Sequence, residues 1–212
     1  RASGTRAALP QVPLPSHGLP RAKAALLMRD NLRHRTEIER AYLRAIGRAH
    51  GEIIIANAYF VPGGRMRRAL VNAARRGVSV NLLLQGRYEY FMQYYAARPV
   101  FGALLRAGVQ IVEYEPSFLH AKVAVVDGHW ATVGSSNLDP LSLLLAREAN
   151  LIVEDAAFAQ RLRQRLLRAL QHEGRRMDAS AYESRSRATR AKEWLALVVM
   201  RLLLVIQGKK YL

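Results

Sequence analysis

The stretch Leu119–Asn137, LHAKVAVVDGHWATVGSSN, constrains this chain more than any other. Ala121–Val126 is rich in β-branched residues, as suits a largely buried strand. Asp127-Gly128 is a strong hairpin signal, which makes His129–Val133 the returning strand. Residues i and i+2 of a strand share a face, so His120 and Lys122 stand side by side, with Ala121 and Val123 behind them. The return brings Asn137 back near the start of the first strand. An imidazole, an ammonium and a carboxamide therefore gather at one end of a hairpin. Such a group suits an anionic, tetrahedral substrate, for instance a phosphodiester.

The 212 residues suffice for one domain of ordinary size with extra material, and 50% of them are hydrophobic, as in a globular chain. A net charge of +17 points to an anionic partner, either nucleic acid or an anionic membrane surface. The chain has no cysteine, which excludes a disulfide framework, a thiolate metal site and a cysteine nucleophile. No H-E-x-x-H or clustered carboxylate–histidine spacing is present either, so neither metal nor cofactor is expected. The chain opens on Arg1 without a signal-peptide pattern, and the missing initiator Met suggests a piece of a longer protein.

Three segments are expected. Residues 1–25 form an arm or linker containing Pro10, Pro13, Pro15 and Pro20. Residues 26–173 form the catalytic unit, and 174–212 a basic tail with a short apolar segment. Within the unit, a short strand ends at Asp30-Asn31 and a helix runs over Thr36–His50, stopped by Gly51. A buried strand opens at Ile53, a helix spans Met66–Arg76, and Val78–Leu84 is the next strand. A further helix is expected over Pro99–Ala107, then strand Val109–Tyr114. After the hairpin come a last strand, Ala149–Val153, and an arginine-loaded amphipathic helix, Ala156–His172. Three strand–helix–strand passages imply an α/β fold with a mainly parallel, mixed sheet flanked by helices, to which the hairpin adds antiparallel strands.

The aromatic run Tyr88–Tyr95 suits either a lipid-accepting cleft or ordinary helix packing. In the tail, Trp194–Ile206 is apolar except for Arg201. It falls short of the ~20 apolar residues that a spanning helix needs. Its basic flanks and Trp194 fit a helix lying in the headgroup region of an anionic leaflet. A helix docked on the domain fits equally well.

The spacing His120-x-Lys122-x4-Asp127-x6-Gly134-Ser135-x-Asn137 resembles the HKD motif of the phospholipase D superfamily. Around it, RDN at Arg29–Asn31, IIIANAYFVP at Ile53–Pro62, AARRGVSV at Ala73–Val80 and HWATVGSSNLDPLSL at His129–Leu143 resemble bacterial cardiolipin synthases, most closely the B type. The resemblance covers roughly Leu26–Leu170. Members of that family hold two HKD half-domains in one chain, with the active site at their interface. Here His17, His34, His50, His129 and His172 all lack a lysine two residues on, so the chain resembles the second half only. A missing first half, or a second copy of the chain, is the implied partner.

The resemblance implies a phosphatidyl group passing between phospholipids through a phosphohistidine. It makes His120 either the nucleophile or the acid that protonates the leaving alkoxide. Lys122 would neutralise a non-bridging phosphate oxygen, and Asn137 and Ser135 would add hydrogen bonds to it. The family also places a glutamate at the spacing of Glu148, where it orients an imidazole through the second ring nitrogen. Asp127 belongs to the motif, yet a regular strand puts it at the turn, which favours a structural role over catalysis. The implied setting is peripheral, on the bacterial inner membrane. Two rival readings stand beside this one: a dimeric nuclease or phosphodiesterase of the same superfamily, for which the charge fits DNA, and a truncated chain that only binds anionic membranes.

Overall fold

The computed structural model describes residues 23–30, 34, 36–87, 91–139 and 147–206. The chain begins with β1 (Lys23–Arg29), α1 (Glu37–Arg48), β2 (Glu52–Asn57), α2 (Gly64–Arg75) and β3 (Ser79–Gln85). Helix α3 (Phe91–Arg106) and β4 (Gln110–Tyr114) follow, then β5 (Lys122–Val126), β6 (Trp130–Gly134) and β7 (Glu148–Glu154). The chain continues through α4 (Ala156–His172), β8 (Gly174–Arg176), α5 (Ala179–Glu183) and α6 (Arg187–Ile206). The eight described strands form one sheet in the order β1-β7-β6-β5-β2-β3-β4-β8.

Burial on both faces explains the unbroken Ile53-Ile54-Ile55 run at the centre of this sheet. Ile53 and Ile55 join Ile38, Tyr42, Ile46, Met66 and Leu70 on the face covered by α1, α2 and α3. Ile54 and Ala56 join Leu83, Val112, Val125 and Ala131 on the opposite face. There α4 contributes Ala159 and Leu166. This helix starts at Asp155, whose side chain accepts the Phe158 N–H at 2.7 Å.

The expected mixed α/β sheet is present, with a smaller parallel share than expected. Only the pairings β2–β3 and β3–β4 are parallel among the described strands. Beyond β4 the chain reverses through a hairpin and continues antiparallel, so no helical crossover sets those strands side by side.

Helix α3 begins eight residues before Pro99, the expected start, and carries that proline inside it. Proline in a helix interior removes one backbone hydrogen bond. Here the buried stripe Ala96, Ala97, Val100, Phe101 and Leu104 runs through the proline and keeps both sides helical. The aromatic run thus lies partly on α3; Tyr88, Glu89 and Tyr90 fall outside the described residues.

Past His172 the sheet gains one more strand, because β8 pairs antiparallel with β4. Helix α6 then packs on α3 through Ala196, Leu197 and Met200. Its buried Glu193 is held by both carboxylate oxygens on Arg185, at 2.8 and 2.7 Å. The opposite side leaves Trp194, Leu195 and Leu202 exposed. The docked reading of this segment therefore holds for the side that carries Ala196, Leu197 and Met200. Among the described residues, no helix is long and apolar enough to cross a membrane.

Candidate active site

Three strand ends meet where the hairpin opens. Lys122 starts β5 directly opposite Asn57, the last residue of β2. Gly134 ends β6 opposite Asn150 of β7. A Cβ at position 134 would collide with the Ala149 carbonyl and the Asn150 side chain, so only glycine lets these strands close. Lys122 is buried at 7% exposure, and its Nζ donates to the His120 carbonyl at 3.1 Å. His120 itself lies just ahead of the strand and is exposed.

On the returning side, the Ser135 N–H donates to the Ala149 carbonyl at 2.9 Å, and Ser135 Oγ accepts the Ala149 N–H at 3.1 Å. The Ser135 hydroxyl also donates to the Glu148 carboxylate. Ser136 is anchored through its N–H on Asn150 Oδ1 at 3.3 Å, while Asn150 Nδ2 donates to Thr132. Asn137 is buried, and its Oδ1 accepts the Tyr59 N–H at 3.4 Å. Its neighbour Leu138 donates to Asn57 Oδ1 at 3.1 Å and accepts from Val61 at 3.0 Å. The structure thus brings Lys122, Ser135, Asn137 and Glu148 to one end of the hairpin, with His120 on the loop entering it. A cation, hydroxyl and amide groups and an exposed imidazole so arranged can bind a phosphate and attack it.

Asp127 lies at the other end, one strand length away. Its Oδ1 accepts the N–H groups of Gly51 and Glu52, both at 2.8 Å, and its Oδ2 that of His50 at 3.0 Å. Partial burial pushes the carboxyl group upward in pKa, but these three donors and nearby His129 outweigh it and hold it below its ordinary value. Asp127 and Gly128 both have positive φ, 49° and 66°, as a tight hairpin turn of this hand requires.

Three residues that sequence reasoning passed over support the site. Asn57 is fully buried beside Lys122 and holds Leu138; its one visible signal was a polar residue ending an apolar strand. Gln85 ends β3 in the same manner, and its Oε1 accepts the Leu119 N–H at 3.1 Å. Arg87 donates to the carbonyls of Glu115 and Pro116, at 2.7 and 2.5 Å. Gln85 and Arg87 together tether the loop that delivers His120. Nothing local to Arg87 announced that role, since its partners lie 28 and 29 residues away.

Comparison with known proteins adds to this geometry. Residues 42–170 match the family described as cardiolipin synthase, PLD-like domain. The chain is 47% identical over 180 residues to cardiolipin synthase B of Salmonella typhi, a match covering 85% of this chain and 44% of that protein. It therefore spans less than half the length of this curated relative. Among solved structures, it is similar to Nuc, a phospholipase D family member from Salmonella typhimurium. That match has a TM-score of 0.62 and 19% identity, and covers 74% of this chain and 99% of that one. It is also similar to a phosphatidylserine synthase of Haemophilus influenzae, with a TM-score of 0.65 and 12% identity over 89% of this chain and 47% of that one. At these identities the two structures speak to the fold.

Proposed function

Because the chain belongs to the phospholipase D-like domain family of cardiolipin synthases, we propose that it is one catalytic half of a phosphatidyltransferase. The observation that carries this reading is the meeting of Lys122, Ser135 and Asn137 beside the exposed His120. His120 attacks the phosphorus of an anionic phospholipid. The new N–P bond replaces the P–O bond to the head group, and the leaving alkoxide takes a proton from the imidazole of a second half. A hydroxyl of another lipid then attacks, the N–P bond breaks, and that imidazole recovers the proton. Buried Lys122 neutralises a non-bridging oxygen as charge builds in the five-coordinate transition state. The amide of Asn137 and the hydroxyl of Ser135 add hydrogen bonds, with Glu148 holding Ser135. Asp127 pins the turn and takes no part in the chemistry.

Two surfaces support the proposed partners. Leu26, Leu151 and Val133 are successive cross-strand neighbours on β1, β7 and β6, all exposed, and Ser135 follows two residues after Val133. An exposed apolar row of this kind, beside a site with one HKD histidine, suits the docking of a second half. The outer side of α6, with Trp194, Leu195 and Leu202 among Arg187, Arg190 and Arg201, suits peripheral binding to an anionic leaflet.

The test joins this chain to a complementary half and measures phosphatidyl transfer on phosphatidylglycerol vesicles, with plasmid DNA incubated alongside. Transfer that depends on His120 supports the reading. Wild-type transfer by an His120→Ala enzyme, or cleavage of DNA in place of lipid, overturns it.

A further inference from the structure

Four helices lie on one side of the sheet. Helices α1, α2 and α3 cover the face of Ile53 and Ile55, and α6 joins the same core through Ala196, Leu197 and Met200. Along α1, Arg40, Arg44 and Arg48 are all exposed, and a spacing of four residues makes them neighbours in one stripe. On α2, Arg68 and Arg75 are exposed, and their spacing is close to two helical turns, which returns them to one side. Like charges four residues apart repel and weaken a helix. An anionic surface laid against the stripe relieves that repulsion.

The carboxylates of these helices are already engaged. Glu37 pairs with His34 at 2.9 Å and Glu39 with Arg65 at 2.6 Å. Glu193 is held by Arg185, and α2 and α3 carry no acid. Among the described residues, none of Arg40, Arg44, Arg48, Arg68 and Arg75 forms an ion pair. The opposite side of the sheet is basic too, with Arg161, Arg165 and Arg168 exposed on the acid-free α4. What differs is the apolar surface. Phe158, Leu162, Leu166, Leu167 and Leu170 of α4 all pack against the core. Among the described helices, only α6 exposes large apolar side chains, with Trp194 at 62%, Leu195 at 58% and Leu202 at 55%.

A nucleic acid matches the arginines but leaves Leu195 and Leu202 unused. A lipid leaflet takes both, since its phosphates attract cations and its headgroup boundary admits apolar side chains. We propose that the outer surface of α1, α2 and α6 is one docking face for an anionic bilayer leaflet. The arginines of α1 and α2 meet lipid phosphates, Trp194, Leu195 and Leu202 enter the headgroup boundary, and α4 faces away. The other exposed apolar row, Leu26, Leu151 and Val133, is the one assigned above to the second half. The docking face extends the lipid reading from one helix to an orientation of the whole sheet, and it rests on the transferase reading only for its purpose.

The test measures binding of the full chain to vesicles at about 0.15 M salt, where exposed charges more than ~8 Å apart are largely screened. Vesicles of phosphatidylcholine with phosphatidylglycerol are compared with phosphatidylcholine alone by co-sedimentation. Trp194 reports insertion by fluorescence, because Trp130 is buried. Wild type should bind the anionic vesicles with a blue shift, and the neutral ones about tenfold more weakly or less. The triple variant Arg44→Glu, Arg48→Glu, Arg68→Glu should lose about a hundredfold in affinity for the anionic vesicles. The triple variant Arg161→Glu, Arg165→Glu, Arg168→Glu changes net charge equally and should stay within about twofold of wild type. Leu195→Ser should weaken binding and reduce the blue shift. The corresponding glutamine triples should keep the same order with smaller losses, and thermal melting checks that each variant is folded. Equal losses on the two sides overturn the proposal, as do wild-type chains that ignore anionic vesicles or that prefer plasmid DNA without a blue shift. Binding is read without turnover, so an assembly that transfers no phosphatidyl group refutes the transferase reading alone, and an active one that ignores the α1–α2 substitutions refutes the docking face alone.

Discussion

At the mouth of the β5–β6 hairpin His120 is exposed, whereas at its turn Asp127 is locked onto three backbone N–H groups. Both belong to one H-x-K-x4-D spacing, and the two ends are built on opposite terms. The turn ties β5 to the start of β2, so the carboxylate is satisfied by the fold itself and has little left to offer a ligand. The mouth brings Lys122, Ser135 and Asn137 to the same end of the hairpin as the exposed His120. A contiguous motif can thus divide between chemistry and scaffold, and hydrogen-bond partners tell which residue does which.

Substitutions at the two ends should separate these roles. The largest expected effect is on chemistry: His120→Ala in the assembled enzyme should lower transfer by about a thousandfold or more, since it removes a covalent step, with an unchanged melting temperature. Asp127→Ala should do the reverse. Losing a charged acceptor of three N–H groups should cost about 2–3 kcal/mol, read as a shifted denaturant midpoint, with activity per folded molecule retained. If Asp127→Ala abolished transfer without unfolding, the division between the two ends would collapse.

The titration of Asp127 sharpens the same contrast. Its folded pKa lies below the ordinary aspartate value. Its stabilisation is therefore fully present above the unfolded value, ~3.9, and disappears as pH falls through the lower folded value. Urea titrations of wild type and Asp127→Asn should differ above that window and converge below it. Asn57→Leu comes next, leaving the Leu138 N–H buried without its acceptor at a cost of about 1–2 kcal/mol. Because Leu138 follows Asn137, transfer should fall with stability there, unlike at Asp127. The smallest effect belongs to Gly128→Ala, where a positive φ and the Gln160 side chain oppose a methyl group. About 1 kcal/mol is expected by thermal melting, with no change in KM.

How much of this was legible in the sequence follows from the range of the forces involved. The hairpin was, because β-branched residues, Asp127-Gly128 and the i, i+2 rule act within a few residues. The return of Asn137 towards the end of the hairpin where Lys122 lies was legible for the same reason. The start of α3 was not, since Pro99 carries a strong local signal that a buried stripe on both sides overrides. Strand β8 is Gly-Arg-Arg and has no apolar pattern; its place comes from pairing with β4 and from Arg175 reaching Glu113 and Glu115. Asn57 and Gln85 looked like ordinary strand ends. Their partners lie 81 and 34 residues away, beyond what any window of sequence can relate.

The pairing of β1 with β7 bears on the order in which the molecule can be made. Arg29 pairs with Glu148, and Lys23 with Glu154, so more than a hundred residues must be synthesised before the first strand meets its neighbour. Domains emerge from the ribosome from their N-terminal side, and distant pairings form late. The parallel centre β2–β3–β4 and its helices can gather first, while Lys23–Arg29 waits with its backbone unpaired. Glu148 and Ala149, which fix Ser135, arrive with that same last pairing. The His120 end of the hairpin is thus among the final parts of the nascent chain to take shape, and a ribosome stalled before Glu154 would release a core in which Ser135 is not yet fixed.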